Sequence, residues 1–92
     1  MKSITNTQQE LNTLKNDVIG LFKIKDSFEL VLQVYETTFR TIRITQFGVI
    51  QESLYNFDYV RGNFKLFPDN KNMNQMLDNP FEFDAFIKSF SV

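Results

Sequence analysis

An α+β fold is predicted, with a helix first, then an antiparallel sheet of three to five strands, then one or two helices packed on the sheet. Three observations predict it. Leu11, Leu14 and Val18 recur at helical spacing near the start, the apolar period drops to two from residue 21, and the stretch NPFEFDAFIKSF at 79–90 returns to helical spacing. A chain of 92 residues supports a single core. No repeat, low-complexity tract or proline-rich linker divides it, so residues 1–92 read as a single α+β domain.

The first helix is marked by Thr7-Gln8-Gln9-Glu10, a capping box in which the hydroxyl accepts a backbone N–H and the glutamate reaches back to the cap. Leu11, Leu14, Val18 and Phe22 form its stripe, and Gly20 is read as its C-terminal stop. Phe28, Leu30, Leu32 and Val34 then alternate with Glu29, Val31, Gln33 and Tyr35, which predicts a strand. Residues 21–25 predict a shorter strand before it, turning at Asp26-Ser27. After a turn at Glu36-Thr37-Thr38 a strand runs over 39–47, and Gly48 breaks or bulges it. A segment over 49–60 leads to Arg61-Gly62-Asn63, read as a hairpin turn. Residues 64–67 return as an edge strand, and Pro68-Asp69-Asn70 closes the sheet.

The last quarter opens with a helical turn over 71–77 carrying Met73, Met76 and Leu77. Asn79 then suits a cap, Pro80 the first helical position, and Glu82 the third place of a capping box. Phe83, Phe86, Ile87 and Phe90 fall on one stripe and are assigned to the core, while Asp84 and Lys88 lie outside it and pair four residues apart. Phe81 projects opposite the stripe beside Asp78, Glu82 and Asp84. It either folds back over the sheet edge or the 71–77 turn, or stands as an aromatic anchor in an acidic rim.

Composition excludes several kinds of chemistry. The chain has no cysteine and no histidine, which removes disulfides, zinc ribbons, thiol catalysis and the usual general base near neutral pH. Carboxylates, lysines, tyrosines and hydroxyls remain, and no spacing joins them into a catalytic set, so a non-enzymatic protein without cofactor is expected. Asp78, Glu82 and Asp84 lack the loop spacing of a calcium site, and no metal site is expected. A formal charge of −1 announces neither a nucleic-acid binder nor a DNA mimic. No apolar run approaches the ~18 residues of a membrane span, and no signal peptide follows Lys2, so a cytoplasmic location is expected. The chain opens at Met1 without a tag or linker scar and reads as a complete small gene product. Its Phe, Asn, Ile and Lys content leans towards AT-rich codons, which suits a low-GC bacterium or its phages.

The strands carry the functional expectation. Placing Phe28, Leu30, Leu32, Val34, Ile42, Ile44, Ile50 and Leu54 against the helices sends Val31, Tyr35, Phe39, Arg43, Phe47, Tyr55, Phe57 and Tyr59 to the opposite face. That face holds more aromatic surface than a solvated sheet needs. Two alternatives stand beside an open face: a bulge at Gly48 reverses the parity of 49–60, or the helices cover opposite faces of the sheet. The expected activity is protein binding, by a small inhibitor or accessory protein of a phage or mobile element, with Tyr35, Phe39, Arg43, Tyr55, Tyr59 and Phe81 as partner-binding residues. A homodimer is among the partners considered. The alternative is a single-stranded nucleic-acid binder in which Arg40, Arg43, Arg61 and Lys65 form a basic strip beside the tyrosines. Against that strip stands ordinary cross-strand pairing with Glu36, Glu52 and Asp58.

Overall fold

The computed structural model describes residues 8–59 and 63–90. The period of two between residues 20 and 56 becomes four strands: β1 (Gly20–Ile24), β2 (Ser27–Val34), β3 (Thr38–Ile44) and β4 (Ile50–Asn56). A fifth, β5 (Phe64–Leu66), completes one sheet in the order β4-β3-β2-β1-β5, with every neighbouring pair antiparallel. The tight β1–β2 turn lacks glycine, and Lys25 takes the left-handed conformation there (φ 54°). Gly48, with φ 81°, does not bulge a strand but breaks the run as read: it sits in the hairpin turn that separates β3 from β4, where its N–H donates to the Thr45 carbonyl at 2.9 Å. The parity of β4 is therefore the one read from the sequence, with Tyr55 directly opposite Phe39 and Leu54 opposite Arg40.

Three expectations are corrected. β4 and β5 are not the two paired arms of a hairpin, because β5 pairs with β1 and lies at the far edge from β4; Arg61 and Gly62, where the turn was read, are outside the described residues. Gly20 does not end the first helix, which stops at Lys15; it opens β1, and β5 crosses so close that a Cβ there would meet the Lys65 carbonyl oxygen and lie 2.9 Å from Leu66 Cα. The third correction is a bulge in β2: Val31 pairs with Thr41 but Gln33 with Arg40, so Leu32 is an extra residue and the parity beyond it inverts. Val34 thereby moves to the face of Phe39, and Tyr35 to the face of Arg40.

Helices cover only part of one face. α1 (Gln8–Lys15) is followed by α2 (Met73–Leu77) and α3 (Pro80–Lys88) near the other end of the chain. The box proposed for α1 involves Thr7, which lies outside the described residues, as does the side chain of Leu11. A complete capping box stands instead on α2, where Asn72 Oδ1 accepts the Gln75 N–H at 2.8 Å and Gln75 Oε1 accepts the Asn72 N–H at 2.9 Å. Asn79 caps α3 as read, but the Glu82 carboxylate turns away to accept Lys71 Nζ at 2.8 Å. Asp84 and Lys88 pair at 3.0 Å.

The core beneath the helices joins Leu21, Phe28, Leu30 and Leu32 of the sheet to Met73, Met76, Phe83, Phe86, Ile87 and Phe90. Size limits that cover. Helices of five and nine residues are about 8 and 14 Å long at ~1.5 Å per residue, against a five-strand width near 19 Å at ~4.8 Å per strand. They lie over β1, β2 and the chain beside β5, and leave the outer side of β3–β4 bare.

The opposite face closes on itself. Phe22 of β1, Phe39 of β3, Tyr55 of β4 and Phe64 of β5 meet there, joined by Phe57 from a 3-10 turn (Phe57–Tyr59) that leaves β4. Phe39 and Phe64 stand on strands three spacings apart, about 14 Å in a flat sheet, yet their ring centroids are 4.5 Å apart. Phe22 and Tyr55, also three strands apart, are separated by 4.9 Å. The sheet therefore curls around these rings, and Phe39 has no exposed surface.

The two cores predict different costs at single rings. Phe39→Ala should destabilise the domain by about 3–5 kcal/mol, as for a fully buried ring. Phe81→Ala, at a side chain 89% exposed, should stay within about 0.5 kcal/mol. Urea unfolding followed by circular dichroism checks both. In the same assay Gly20→Ala should cost about 1–3 kcal/mol, because the added methyl drives β5 off β1.

Candidate functional site: the open edge and outer face of β4

The two edges of the sheet are built differently. β5 is three residues long, carries Lys65 at its centre and runs into Pro68, all of which discourage another strand from pairing with it. β4 is seven residues long, Ile-Gln-Glu-Ser-Leu-Tyr-Asn, without proline, lysine, glycine or bulge. Its bonding phase is fixed at both ends: Thr45 donates to the Val49 carbonyl at 2.8 Å and Phe57 to the Thr37 carbonyl at 2.9 Å. Bonded pairs alternate in an antiparallel ladder. The main chains of Gln51, Ser53 and Tyr55 thus face β3, and those of Ile50, Glu52, Leu54 and Asn56 face outward. Among the described residues no strand pairs with that outer side.

The residues with outward main chain also carry the uncovered apolar side chains. Ile44, Ile50 and Leu54 were expected beneath the helices; all three are exposed, Leu54 at 63%. The physical reason is the shortness of α2 and α3. Ile42 alone of the β3–β4 aliphatics on this side is buried, at the floor of a groove of about 630 Å³ between the end of α1 and the outer sheet face. Leu14, Asn16 and Asp17 form one wall of this groove, and Arg40, Ile50 and Glu52 the other. Along that second wall Arg40 Nη1 donates to Glu52 Oε1 at 3.0 Å, in a solvent-exposed pair worth at most about 1 kcal/mol. At the hairpin tip Phe47 and Val49 extend the apolar edge, both exposed.

Of the six residues expected to bind a partner, the five whose side chains are described do not gather on one exposed surface. Phe39 is interior and has no surface to offer a partner. Tyr55 packs its half-buried ring in the same core, and its hydroxyl donates to the Glu29 carboxylate at 3.0 Å, where Thr41 Oγ1 also donates at 2.6 Å. Arg43 is on this face but at its open end, with its guanidinium donating to Gln51 Oε1. Tyr35, on the other face after the bulge, donates its hydroxyl to Gln33 Oε1 at 2.8 Å and borders Arg40 and Leu54. The side chain of Tyr59 is outside the described residues. Phe81 stands exposed on α3 and does not fold back.

The basic strip does not form among the described residues either, since Arg40 and Arg43 have opposite parity and Lys65 donates to Ser89 Oγ and the Ser89 carbonyl at 3.0 Å. Among the described residues no group of acids or other ligands is placed to hold a metal ion, and no helix is long and apolar enough to cross a membrane. No family model, curated protein or solved structure matches the chain.

The Glu29–Tyr55 contact has a measurable signature. Burial, reinforced by the neighbouring carboxylate, raises the Tyr55 hydroxyl above its ordinary value of 10.0. The folded state then holds this proton more tightly than the unfolded state. The stabilisation is complete below the ordinary tyrosine pKa and is lost as pH rises through the raised one. Ultraviolet titration of wild type against Tyr55→Phe should show one late-ionising phenol missing from the variant. Thermal unfolding of wild type should weaken above pH ~10 more steeply than that of Tyr55→Phe.

Proposed function

We propose that this domain is a non-enzymatic protein-binding module that takes an extended segment of a protein onto the outer edge of β4. One observation carries the reading: on β4 the outward main chain and the exposed aliphatic side chains belong to the same residues, Ile50 and Leu54, in an edge strand without proline, lysine or bulge. An added strand gains main-chain hydrogen bonds at those positions, and its alternate side chains lie over the bare surface beside Ile44, Tyr35 and the groove. Of the residues first considered, Tyr35 belongs to this surface, while Phe39 and Tyr55 serve the second core. The small size and AT-leaning composition fit an inhibitor or accessory protein of a phage or mobile element. The nucleic-acid alternative has less support, because Tyr55 packs in a core and Arg40 and Arg43 lie on opposite faces of the sheet.

A random peptide library panned against the immobilised domain tests this reading. Selected peptides should alternate apolar and polar residues, slow amide exchange at Ile50, Glu52 and Leu54, and lose at least tenfold in affinity on Leu54→Lys, as at a central apolar anchor. Their binding should change little with salt. A single-stranded oligonucleotide that binds instead, with affinity falling steeply as salt rises, would put the nucleic-acid reading in its place.

A further inference from the structure

We infer that the protein partner of the β4 edge is a second copy of this chain, paired antiparallel about a two-fold axis at Glu52; this rests on the proposed use of that edge for binding. The argument is one of register. Only residues with outward main chain can form bonded pairs with a neighbouring strand, which restricts β4 to Ile50, Glu52, Leu54 and Asn56 on both sides. An isologous contact makes residue i meet j and j meet i, so each register is named by its centre. Centred on Ser53, Ile50 faces Asn56 and Glu52 faces Leu54, so both aliphatics meet polar groups. Centred on Gln51, Ile50 faces Glu52 and Leu54 faces Gly48. Centred on Leu54, Ile50 must face Asp58 of the 3-10 turn, which no longer runs as a strand.

Centred on Glu52, Ile50 of each copy faces Leu54 of the other. Behind them stand Ile44, the β3 partner of Ile50, and Arg40, the β3 partner of Leu54. Each outer face then carries two unbroken rows across the junction, in the order Ile44, Ile50, Leu54, Arg40. The two central Glu52 carboxylates are like charges, but each already has its own Arg40 at 3.0 Å. On the inner face, Gln51 of one copy meets Ser53 of the other, a polar pair. This register alone matches apolar with apolar on one face and polar with polar on the other.

Light scattering on the full chain should give twice the 10.9 kDa chain mass at micromolar concentration. Leu54→Lys should give a single chain mass with an unchanged circular dichroism spectrum. The chain has no cysteine, so single-cysteine variants report the register directly. Partners in a bonded antiparallel pair have Cα atoms about 5.5 Å apart, within disulfide range. Glu52→Cys should therefore cross-link nearly completely under mild oxidation, with at least tenfold less product from Ser53→Cys or Leu54→Cys. A wild-type chain that stays monomeric at sub-millimolar concentration overturns the inference. If library peptides still bind the edge in that case, the binding reading survives without it. A dimer that tolerates Leu54→Lys, or cross-links best through Ser53→Cys, overturns the assigned axis as well.

Discussion

The curl of the sheet is arranged around the ring of Phe39. It stands at the start of a central strand and touches Phe22, Tyr55, Phe57 and Phe64, which come from two other strands of the sheet, from β5 and from the turn after β4. Rings on strands three spacings apart touch only if the sheet bends towards them. Burying such a set is worth several kcal/mol, of the order of the whole stability of a small domain. That gain selects the curl. Once the sheet has curled, its concave side is filled by its own side chains and needs no helix.

The same bend decides what is left outside. A domain of this size has helices for one layer, and here they fill the convex side only where β1, β2 and Phe67 meet Met73, Met76 and Phe90. β3 and β4 turn their aliphatic side outward, and among the described residues only the end of α1 lies over it. The buried Glu29 fits this economy: its carboxyl oxygens take hydrogen bonds from Thr41 and Tyr55, so the concave core admits a polar side chain without leaving it unbonded.

Much of the architecture was legible in the residues. The period of two, the caps at Asn79 and Pro80, and the stripe through Phe83, Phe86, Ile87 and Phe90 each rest on local geometry, and local geometry is what a sequence encodes most directly. The aromatic excess opposite the aliphatic face was also legible, and so was the parity of β4. Its meaning was not. Whether a row of rings is a binding face or a core depends on curvature, and curvature comes from contacts between strands far apart in the chain, such as Phe39 with Phe64. The bulge at Leu32 was hidden for a related reason, since no glycine or proline marks it, and it exchanged the faces of Val34 and Tyr35. The exposed set of Ile44, Ile50 and Leu54 had one readable signal: the helices are short against the width of the sheet. β4 had another, in a seven-residue strand free of lysine and proline.

The contrast between the two edges has a consequence for assembly as such. A sheet open on both sides is a monomer in the polymer chemist's sense: each addition exposes a fresh end, and growth has no natural limit. In this protein the short β5 edge, with its lysine and the proline that follows, discourages a further strand from adding there. Joining at β4, as proposed, would use up the unblunted sheet edge of each partner among the described residues. Growth through this edge stops after one step, and a strand as bare as β4 is compatible with a particle of fixed size.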